Sequence, residues 1–293
     1  MQQQNSICDF ATSDSWVILS PIEQSIKKKI EAVGTPLKDW DINIYRGVLT
    51  GCNEAFIIDS EKRDEILANC QTEDERQRTA KLIRPILRGR DIKRYGYVDN
   101  GLYLINTHNG VKGKIPRIDI NDYPAVKAHL DQYWDKIEKR ADQGDTPYNL
   151  RNCAYLEDFS RPKIIWKRIG SILRFSFDNK GCLGLDSTCF ATGEHIEYLC
   201  CVLNSLMGHY LLKDSPKTGT GDLLVSVQAI EPASIPYCVQ YDKQLSSLLD
   251  RQRTNPSDTT EKEINDIVFT MYALSPKERD YITQYIKLSQ QSL

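Results

Sequence analysis

The feature that most constrains the fold is a change of sequence pattern at Pro236. Before this residue, short segments rich in β-branched and aromatic residues alternate with amphipathic helical patterns, and glycine and proline separate them. After it, only helical patterns remain, and two of them begin with capping signals, at Thr260 and at Ser275. The sequence therefore predicts an α+β fold: a mixed sheet-and-helix body over residues 1–237, followed by a helical tail over residues 238–293.

Several elements can be placed from local patterns. A first amphipathic helix is predicted from Ile22 to Val33, and two short strands, Ile42 to Thr50 and Ala55 to Ile58, are predicted on either side of a turn at Gly51. Further predicted helices run from Thr72 towards Ile83, where Pro85 ends the pattern, from Asn121 or Asp122 to Ala141, from Glu194 to Leu212 and from Gln244 to Arg253. Further predicted strands are Tyr95 to Val98, Leu102 to Ile105, Lys163 to Lys167, Ile172 to Phe177 and Ser187 to Ala191.

Composition excludes several classes of protein. Hydrophobic residues make up 40% of the chain and charged residues 27%, which argues against disorder and against a membrane protein. No apolar run approaches the roughly 20 residues of a spanning helix, and the start at Met1 has no secretory pattern. We therefore expect a cytoplasmic protein with no membrane partner.

The nine cysteines are an odd number spread along the chain, so they are interpreted as reduced thiols. Cys182, Cys189, His195 and Cys200 lie close together in sequence, but no Cys-x-x-Cys pair is present. We interpret the three cysteines as small buried residues and His195 as a histidine at a helix start or on the surface. No metal site is predicted.

Opposite charges are segregated along the chain, although the formal net charge is only -2. Between Arg76 and Arg94 there are eight basic residues and one acid, Asp91. Between Arg161 and Arg174 there are five basic residues and no acid. This pattern is typical of a protein that meets a polyanion on one face.

The densest basic segment contains Arg88-Gly89-Arg90. In an extended chain the two arginines project on the same side, and Gly89 permits close approach of the backbone to a ligand. Two guanidinium forks spaced in this way can grip phosphates or reach guanine in a major groove. The alternative is that Arg84 and Arg88 pair with acids inside the fold and that Asp91 caps a helix.

Motifs for nucleotide binding and acyl transfer are missing from the sequence, so no catalytic residue is predicted. A self-contained hydrolase would depend on isolated cysteine and histidine residues without a recognisable local signature, and it is the weakest hypothesis.

Several separated blocks resemble the TaqI-type specificity domain. They are Tyr45-Arg-Gly-Val-Leu-Thr-Gly-Cys-Asn-Glu-Ala-Phe56, Ile83-Arg-Pro-Ile-Leu-Arg-Gly-Arg-Asp-Ile-Lys-Arg-Tyr95, Asp122-Tyr-Pro-Ala-Val-Lys-Ala-His-Leu130 with Arg140 following, Pro162-Lys-Ile-Ile-Trp166, Tyr198-Leu-x-x-x-Leu-Asn-Ser205 and Ile235-Pro236. The resemblance runs from about Trp16 to Tyr237. The blocks occur in the family's order, which makes the resemblance more specific than any single motif.

The resemblance implies a target recognition domain of an adenine-specific DNA methyltransferase, including fused Type IIG restriction-modification enzymes. Its partners would be double-stranded DNA and the methyltransferase catalytic domain of the same longer chain. S-adenosylmethionine, with Mg as a further candidate, is expected for that longer chain and no cofactor for this segment. Asn255-Pro256 is followed by Ser257, so the family's Asn-Pro-Pro-Tyr-type catalytic motif is missing. We therefore expect a fragment of a longer chain, with Met1 not the natural start.

The predicted DNA-binding residues come from the two basic stretches and one exposed loop. They are Arg88, Arg90, Lys93, Arg94, Lys167, Arg168, Lys217, Thr218 and Thr220. Thr50-Gly51 and Asn53 are either turn residues or contacts, and the sequence leaves both open. Trp166 and Tyr95 are interpreted as core or groove-wall aromatics. A second hypothesis is a protein-interaction module that packs on the catalytic domain or on another subunit without DNA affinity of its own.

Overall fold

The structure, a computed structural model, describes residues 19–291. Its α-helices are α1 Pro21–Val33, α2 Asn53–Phe56, α3 Ser60–Ala68, α4 Glu73–Leu82, α5 Pro124–Asp131, α6 Trp134–Ile137, α7 Ile196–Asn204, α8 Leu206–Leu211, α9 Val227–Ile230, α10 Val239–Thr254, α11 Asp258–Met271 and α12 Pro276–Gln291. Its strands are β1 Thr35–Pro36, β2 Ile42–Arg46, β3 Ile57–Asp59, β4 Ile83–Leu87, β5 Leu102–Ile105, β6 Lys163–Lys167, β7 Ile169–Gly170, β8 Phe175–Asp178, β9 Leu183–Gly184, β10 Thr188–Gly193, β11 Leu223–Leu224 and β12 Ser234–Ile235. The α+β fold is confirmed.

A four-stranded antiparallel sheet of order β2-β10-β6-β8 lies at the centre of the fold. Successive residues of its inner strands point to opposite faces. Ile164 and Trp166 join one hydrophobic cluster, whereas Ile165 between them joins another. Both faces of this central sheet are therefore covered.

The first cluster covers one face with helices from both ends of the described chain. It contains Ile26 of α1, most of α7, and the inner faces of α10, α11 and α12. Leu249, Val268 and Ile282 of the tail are all fully buried there. The predicted boundary at residue 237 stays a prediction, but the tail helices share their core with the sheet.

The second cluster covers the other face. It packs helices α2 to α5 around a second sheet of order β3-β5-β4-β9, in which β4 and β9 are parallel. Gly47 lies where the two sheets meet: its amide donates to Thr188 O at 3.0 Å, and the amide of Val48 donates to Gly184 O at 2.7 Å. A Cβ atom at position 47 would collide with the backbone of Leu185, so this crossing requires glycine.

Helices α1 and α4 form where the sequence predicts them, whereas α11 is capped by Ser257 and not by the predicted Thr260. Ser20 caps α1 in a reciprocal capping box with Glu23, and Thr72 caps α4 by accepting from the amide of Glu75. Pro85 does not end that helix, however. The helix ends at Leu82, and Pro85 lies inside β4.

Several predicted elements differ in the structure. Ala55 and Phe56 lie in α2 rather than in a strand, and the helix predicted from Glu194 to Leu212 is divided at Ser205 into α7 and α8. Strand β2 ends at Arg46 and pairs with β10, so it forms no hairpin with the segment after Gly51. The helix predicted to reach Ala141 is broken into α5 and α6, with a 3-10 turn before them. Tyr95 to Val98 forms only isolated bridges, because Tyr95 adopts a left-handed backbone with φ 66°.

No helix within residues 19–291 is long and apolar enough to cross a membrane. The first 18 residues, on which the expectation of no secretory leader depends, lie outside the described part of the chain.

Candidate nucleic-acid interface

The sequence predicted an extended segment with Arg88 and Arg90 on the same side. The structure does not contain such a segment here. Residues Gly89–Asp91 form a 3-10 turn directly after β4. Within this turn Asp91 accepts the Nε and Nη2 donors of Arg88, both at 3.0 Å, and also its backbone amide at 2.8 Å. The turn therefore separates the two arginines and ties Arg88 to an acid inside the fold.

Asp91 is almost fully buried, and Asn100 donates a further hydrogen bond to it at 2.8 Å. Burial alone would raise the pKa of this carboxyl, but the hydrogen bonds from Arg88 outweigh burial and lower it. The guanidinium of Arg88 is thus used within the fold, as the sequence alternative proposed. A role for Arg88 in DNA binding stays a prediction.

Arg90, in contrast, projects from the turn into solvent. Within residues 19–291 no hydrogen bond or ion pair holds its guanidinium. The neighbouring Gly89 lies so close to β6 that a Cβ atom there would be 2.9 Å from Lys167 Cγ. Arg90 and the exposed Lys167 are therefore neighbours, although 77 residues separate them in sequence.

Ser187 connects this turn to the end of the central sheet. The amide of Gly89 donates to Ser187 Oγ at 3.1 Å, and the amide of Arg168 donates to Ser187 O at 2.9 Å. The Nε of Arg168 is buried and has no hydrogen-bond partner in the described part of the chain. Its guanidinium therefore retains a donor that the fold does not satisfy.

The loop with Lys217 lies against the same end of the sheet. Strand β11 pairs with β7 directly after Arg168, and the amide of Val225 donates to Arg168 O at 2.8 Å. The backbone of Lys217 forms an isolated β-bridge with Leu223, and the side chain of Lys217 is exposed. We call Arg90, Lys167, Arg168 and Lys217 the basic rim.

Thr218 and Thr220 stabilise the turn of this loop. The amide of Thr218 donates to Asp222 O at 2.8 Å, and the hydroxyl groups of the two threonines lie 2.8 Å apart. The hydroxyl of Thr220 also donates to the Asp222 carboxylate at 3.3 Å. The threonines thus order the loop that presents Lys217, and their contact with DNA stays a prediction.

Lys93 and Arg94 lie elsewhere, beside the edge strand β8. The amide of Lys93 donates to Ser176 Oγ at 3.2 Å, and its side chain is exposed. Arg94 forms an ion pair with Glu261 of α11 and donates to Asn204 O at 2.5 Å. Arg94 therefore joins the tail to the sheet, and the structure does not bring it into the basic rim.

Two cations at the same end of the sheet were not among the predicted residues. Arg46 is the last residue of β2 and lies opposite Cys189 of β10. The preceding residue of β10, Thr188, lies opposite Lys167 of β6. Arg174 directly precedes β8 and is exposed. Because strand order is not visible in a sequence, no local signal could place Arg46 at the same end of the sheet as Lys167.

Thr50 and Asn53, left open by the sequence, are turn residues in the structure. The hydroxyl of Thr50 donates to Asn53 Oδ1 at 2.5 Å and accepts from the amide of Cys52 at 3.2 Å. The buried guanidinium of Arg140 donates to Thr50 O at 2.5 Å. These hydrogen bonds stabilise the turn that connects β2 to α2.

The aromatic and sulfur-containing residues have structural roles. Trp166 and Tyr95 are buried, and Trp166 donates to Val225 O at 2.9 Å. Cys182, Cys189 and Cys200 are buried as predicted, and His195 directly precedes α7. Burial raises the pKa of Cys189 to about 11, so it is a neutral thiol at physiological pH. Among residues 19–291 no three His, Cys, Asp or Glu side chains come together to hold a metal ion.

The α+β fold collects arginine and lysine side chains at one end of its central sheet. Residues 84–227 match the TaqI-like C-terminal specificity domain. The matched range contains every residue of the basic rim.

The solved structures that are similar to this chain include two restriction enzymes. The Type IIL restriction-modification enzyme MmeI, solved in complex with DNA, matches at a TM-score of 0.60 and 10% sequence identity, over 89% of this chain and 36% of that chain. The type IIG restriction endonuclease BpuSI matches at a TM-score of 0.46 and 14% identity, over 87% of this chain and 34% of that chain. This chain therefore spans about a third of the length of either enzyme. The comparison with curated proteins gave no match.

Proposed function

We propose that this chain selects a sequence in duplex DNA as the specificity module of an adenine-N6 DNA methyltransferase or a fused Type IIG restriction-modification enzyme. The observation that carries the proposal is the collection of the basic rim at one end of the central sheet, with the segments of Arg90, Lys167 and Arg168 around Ser187 and Lys217 beside the β7–β11 pair. Cations from three separate segments gather there, inside the family-matched range. This arrangement suits a polyanion, because each exposed cation can neutralise one phosphate.

The residues of the rim would divide the work of binding. Lys167 and Lys217 carry point charges suited to phosphates, which hold the protein in register on the duplex. Arg90 carries a planar fork that can address guanine O6 and N7 in the major groove. The threonines of the loop keep Lys217 in place through their own hydrogen bonds.

Catalysis would belong to a methyltransferase domain of the same longer chain, which would bind S-adenosylmethionine and, where a nuclease is fused, Mg. The proposal assigns no residue of this chain to either. It also retains the cytoplasmic location expected from the sequence, where such an enzyme would meet duplex DNA.

The test is duplex binding by fluorescence anisotropy across a range of salt concentrations. We expect Arg90→Gln combined with Lys167→Gln to weaken binding and to make the log-log salt slope less negative by up to about 1.8, at about 0.9 for each lost phosphate contact. Arg76→Gln combined with Lys277→Gln is the matched control, since it removes the same charge from exposed positions on α4 and α12. Equal binding by the two double variants would overturn the assignment of the rim.

The second candidate is the protein-interaction module. It is favoured by two exposed apolar side chains on either side of the predicted boundary, Tyr237 at 41% and Val239 at 75% exposure. This candidate predicts that the parent chain binds no duplex even at low salt, so the same titration separates the two functions.

A further inference from the structure

A second basic feature lies outside the basic rim, in the segment of residues 109–117, which we call the lysine hairpin. The amide of Val111 donates to Ile115 O at 2.8 Å, and the amide of Ile115 donates back to Val111 O at 2.9 Å. Gly110 and Gly113 have φ values of 74° and 76°, which permit this tight reversal. The tip is the tripeptide Lys112-Gly113-Lys114.

The base of the hairpin is held in place by side-chain amides. Asn109 Nδ2 donates to Asp145 Oδ1 at 2.9 Å and to Asn152 Oδ1 at 2.6 Å, while its Oδ1 accepts the amide of Asp145 at 2.9 Å. On the other side, Arg117 donates to Asn149 Oδ1 at 3.2 Å. The tip is therefore presented on a hydrogen-bonded base, which lowers the entropic cost of binding.

The charge at the tip is not neutralised by the fold. Lys112 and Lys114 are exposed, and within residues 19–291 neither ammonium group has a hydrogen bond or an ion pair. A Cβ atom at Gly113 would meet no atom within 4 Å, so the tip stands in open space. The carboxylate of the nearby Asp145 is already bonded to Asn109 and lies 3.9 Å from Arg117.

A cleft of about 940 Å³ separates the hairpin from residues 152–154. Tyr155 follows directly, and its hydroxyl donates to Arg46 O at 3.0 Å. The guanidinium of Arg46 lies 3.8 Å from the carboxylate of Asp186, which is adjacent to Ser187 at the centre of the basic rim. Tyr155 and Arg46 therefore connect the wall of the cleft to the segment that contains Ser187.

We propose that the lysine hairpin is a second contact for the same DNA duplex, with Lys112 and Lys114 neutralising phosphates beyond those reached by the basic rim. The inference rests on the proposed function and extends it, because it lengthens the duplex that one chain covers.

The test compares Lys112→Gln combined with Lys114→Gln in the full chain with a matched control, Lys243→Gln combined with Lys277→Gln. Both control lysines are exposed on tail helices. We expect the hairpin variant to bind with a salt slope less negative by about 1.8 and the control to keep the parent slope. The conservative variant Lys112→Arg with Lys114→Arg should restore the parent slope, which separates lost charge from a disturbed hairpin.

A second readout is a series of duplexes of increasing length. The affinity of both proteins should increase with duplex length and then level off. For the parent, it should level off at a longer duplex than for the hairpin variant. If the hairpin variant matches the control in both measurements while the rim variant weakens binding, this inference is overturned and the proposed function stands. If the parent binds no duplex, both are overturned.

Discussion

Arg140 shows how a charged residue can serve the fold alone. It is 6% exposed, and it donates to the carbonyl oxygens of Thr50, Asp142, Pro147 and Asn149. Burial lowers its pKa to about 10. We expect Arg140→Met to lower the free energy of unfolding in urea by at least about 3 kcal/mol, because several acceptors lose their donor together. Arg151→Met, at an exposed ion pair with Asp142, should cost about 1 kcal/mol or less.

Arg88 and Arg90 are separated by one residue but should respond differently to substitution. Arg88→Ala removes the partner of the buried Asp91 carboxylate and should lower stability by about 2 kcal/mol or more. Arg90→Ala should leave stability nearly unchanged and weaken duplex binding. Thermal melts and anisotropy titrations of the two single variants provide the measurement. A stable Arg88→Ala variant with the larger loss of binding would reverse the two assignments.

Part of this site was predictable from the sequence. The basic stretches pointed to Arg90 and Lys167, and the pairing of Arg88 with an acid inside the fold was an explicit alternative, although Asp91 itself was expected to cap a helix. The proximity of Gly89 to Lys167 was not predictable, because it depends on how two distant segments pack. The same limit explains why the sequence could not place Arg46 at this end of the sheet or pair Arg94 with Glu261.

At the scale of elements, Glu278 joins the first helix to the last. Its carboxylate accepts from Lys29 at 2.6 Å and Ser25 at 2.7 Å, both on α1, and from the amide of Ser275 at 2.7 Å. Burial would raise the pKa of Glu278, but these hydrogen bonds lower it to about 2. Because this value lies below the usual 4.5, the resulting stability is complete above about pH 4.5 and is lost as pH falls through about 2.

We therefore expect Glu278→Gln to be less stable than the parent at pH 7 by on the order of 3 kcal/mol. The difference should shrink steadily between pH 4.5 and pH 2, as measured by urea unfolding at a series of pH values. Glu263→Gln, at an exposed pair with Arg251, is the control and should cost about 1 kcal/mol or less. A constant difference across this pH range would mean that the Glu278 carboxylate is not the group responsible.

Elements with local signals were predictable, and elements set by distant partners were not. Helices α1, α4 and α11 begin at caps that the sequence carries within a few residues. Strand β2 was paired with the wrong segment because its partner, β10, lies more than 140 residues away. The helix after Asp122 was predicted too long, because its apolar stripe continues across the break between α5 and α6.

At the scale of the whole molecule, the tail helices cover one face of the central sheet. The first cluster joins α10, α11 and α12 to α7 and to Ile164 and Trp166 of β6. A sheet with one large apolar face uncovered is prone to aggregate. The shared core therefore bears directly on whether the body over residues 1–237 can exist without the tail over residues 238–293.

We expect a chain cut after Tyr237 to lose its cooperative fold. It would expose the apolar side of α7 and the sheet face beneath it, at a cost of roughly 25 cal/mol for each Å² of apolar surface left in water. Size-exclusion chromatography and a thermal melt followed by near-ultraviolet circular dichroism would show aggregation or no transition. A monomeric fragment with a cooperative melt would instead make residue 237 a domain boundary. As a milder control, Leu249→Ala in the full chain should keep the fold and lower its stability by about 2–5 kcal/mol, because Leu249 is fully buried in the same cluster.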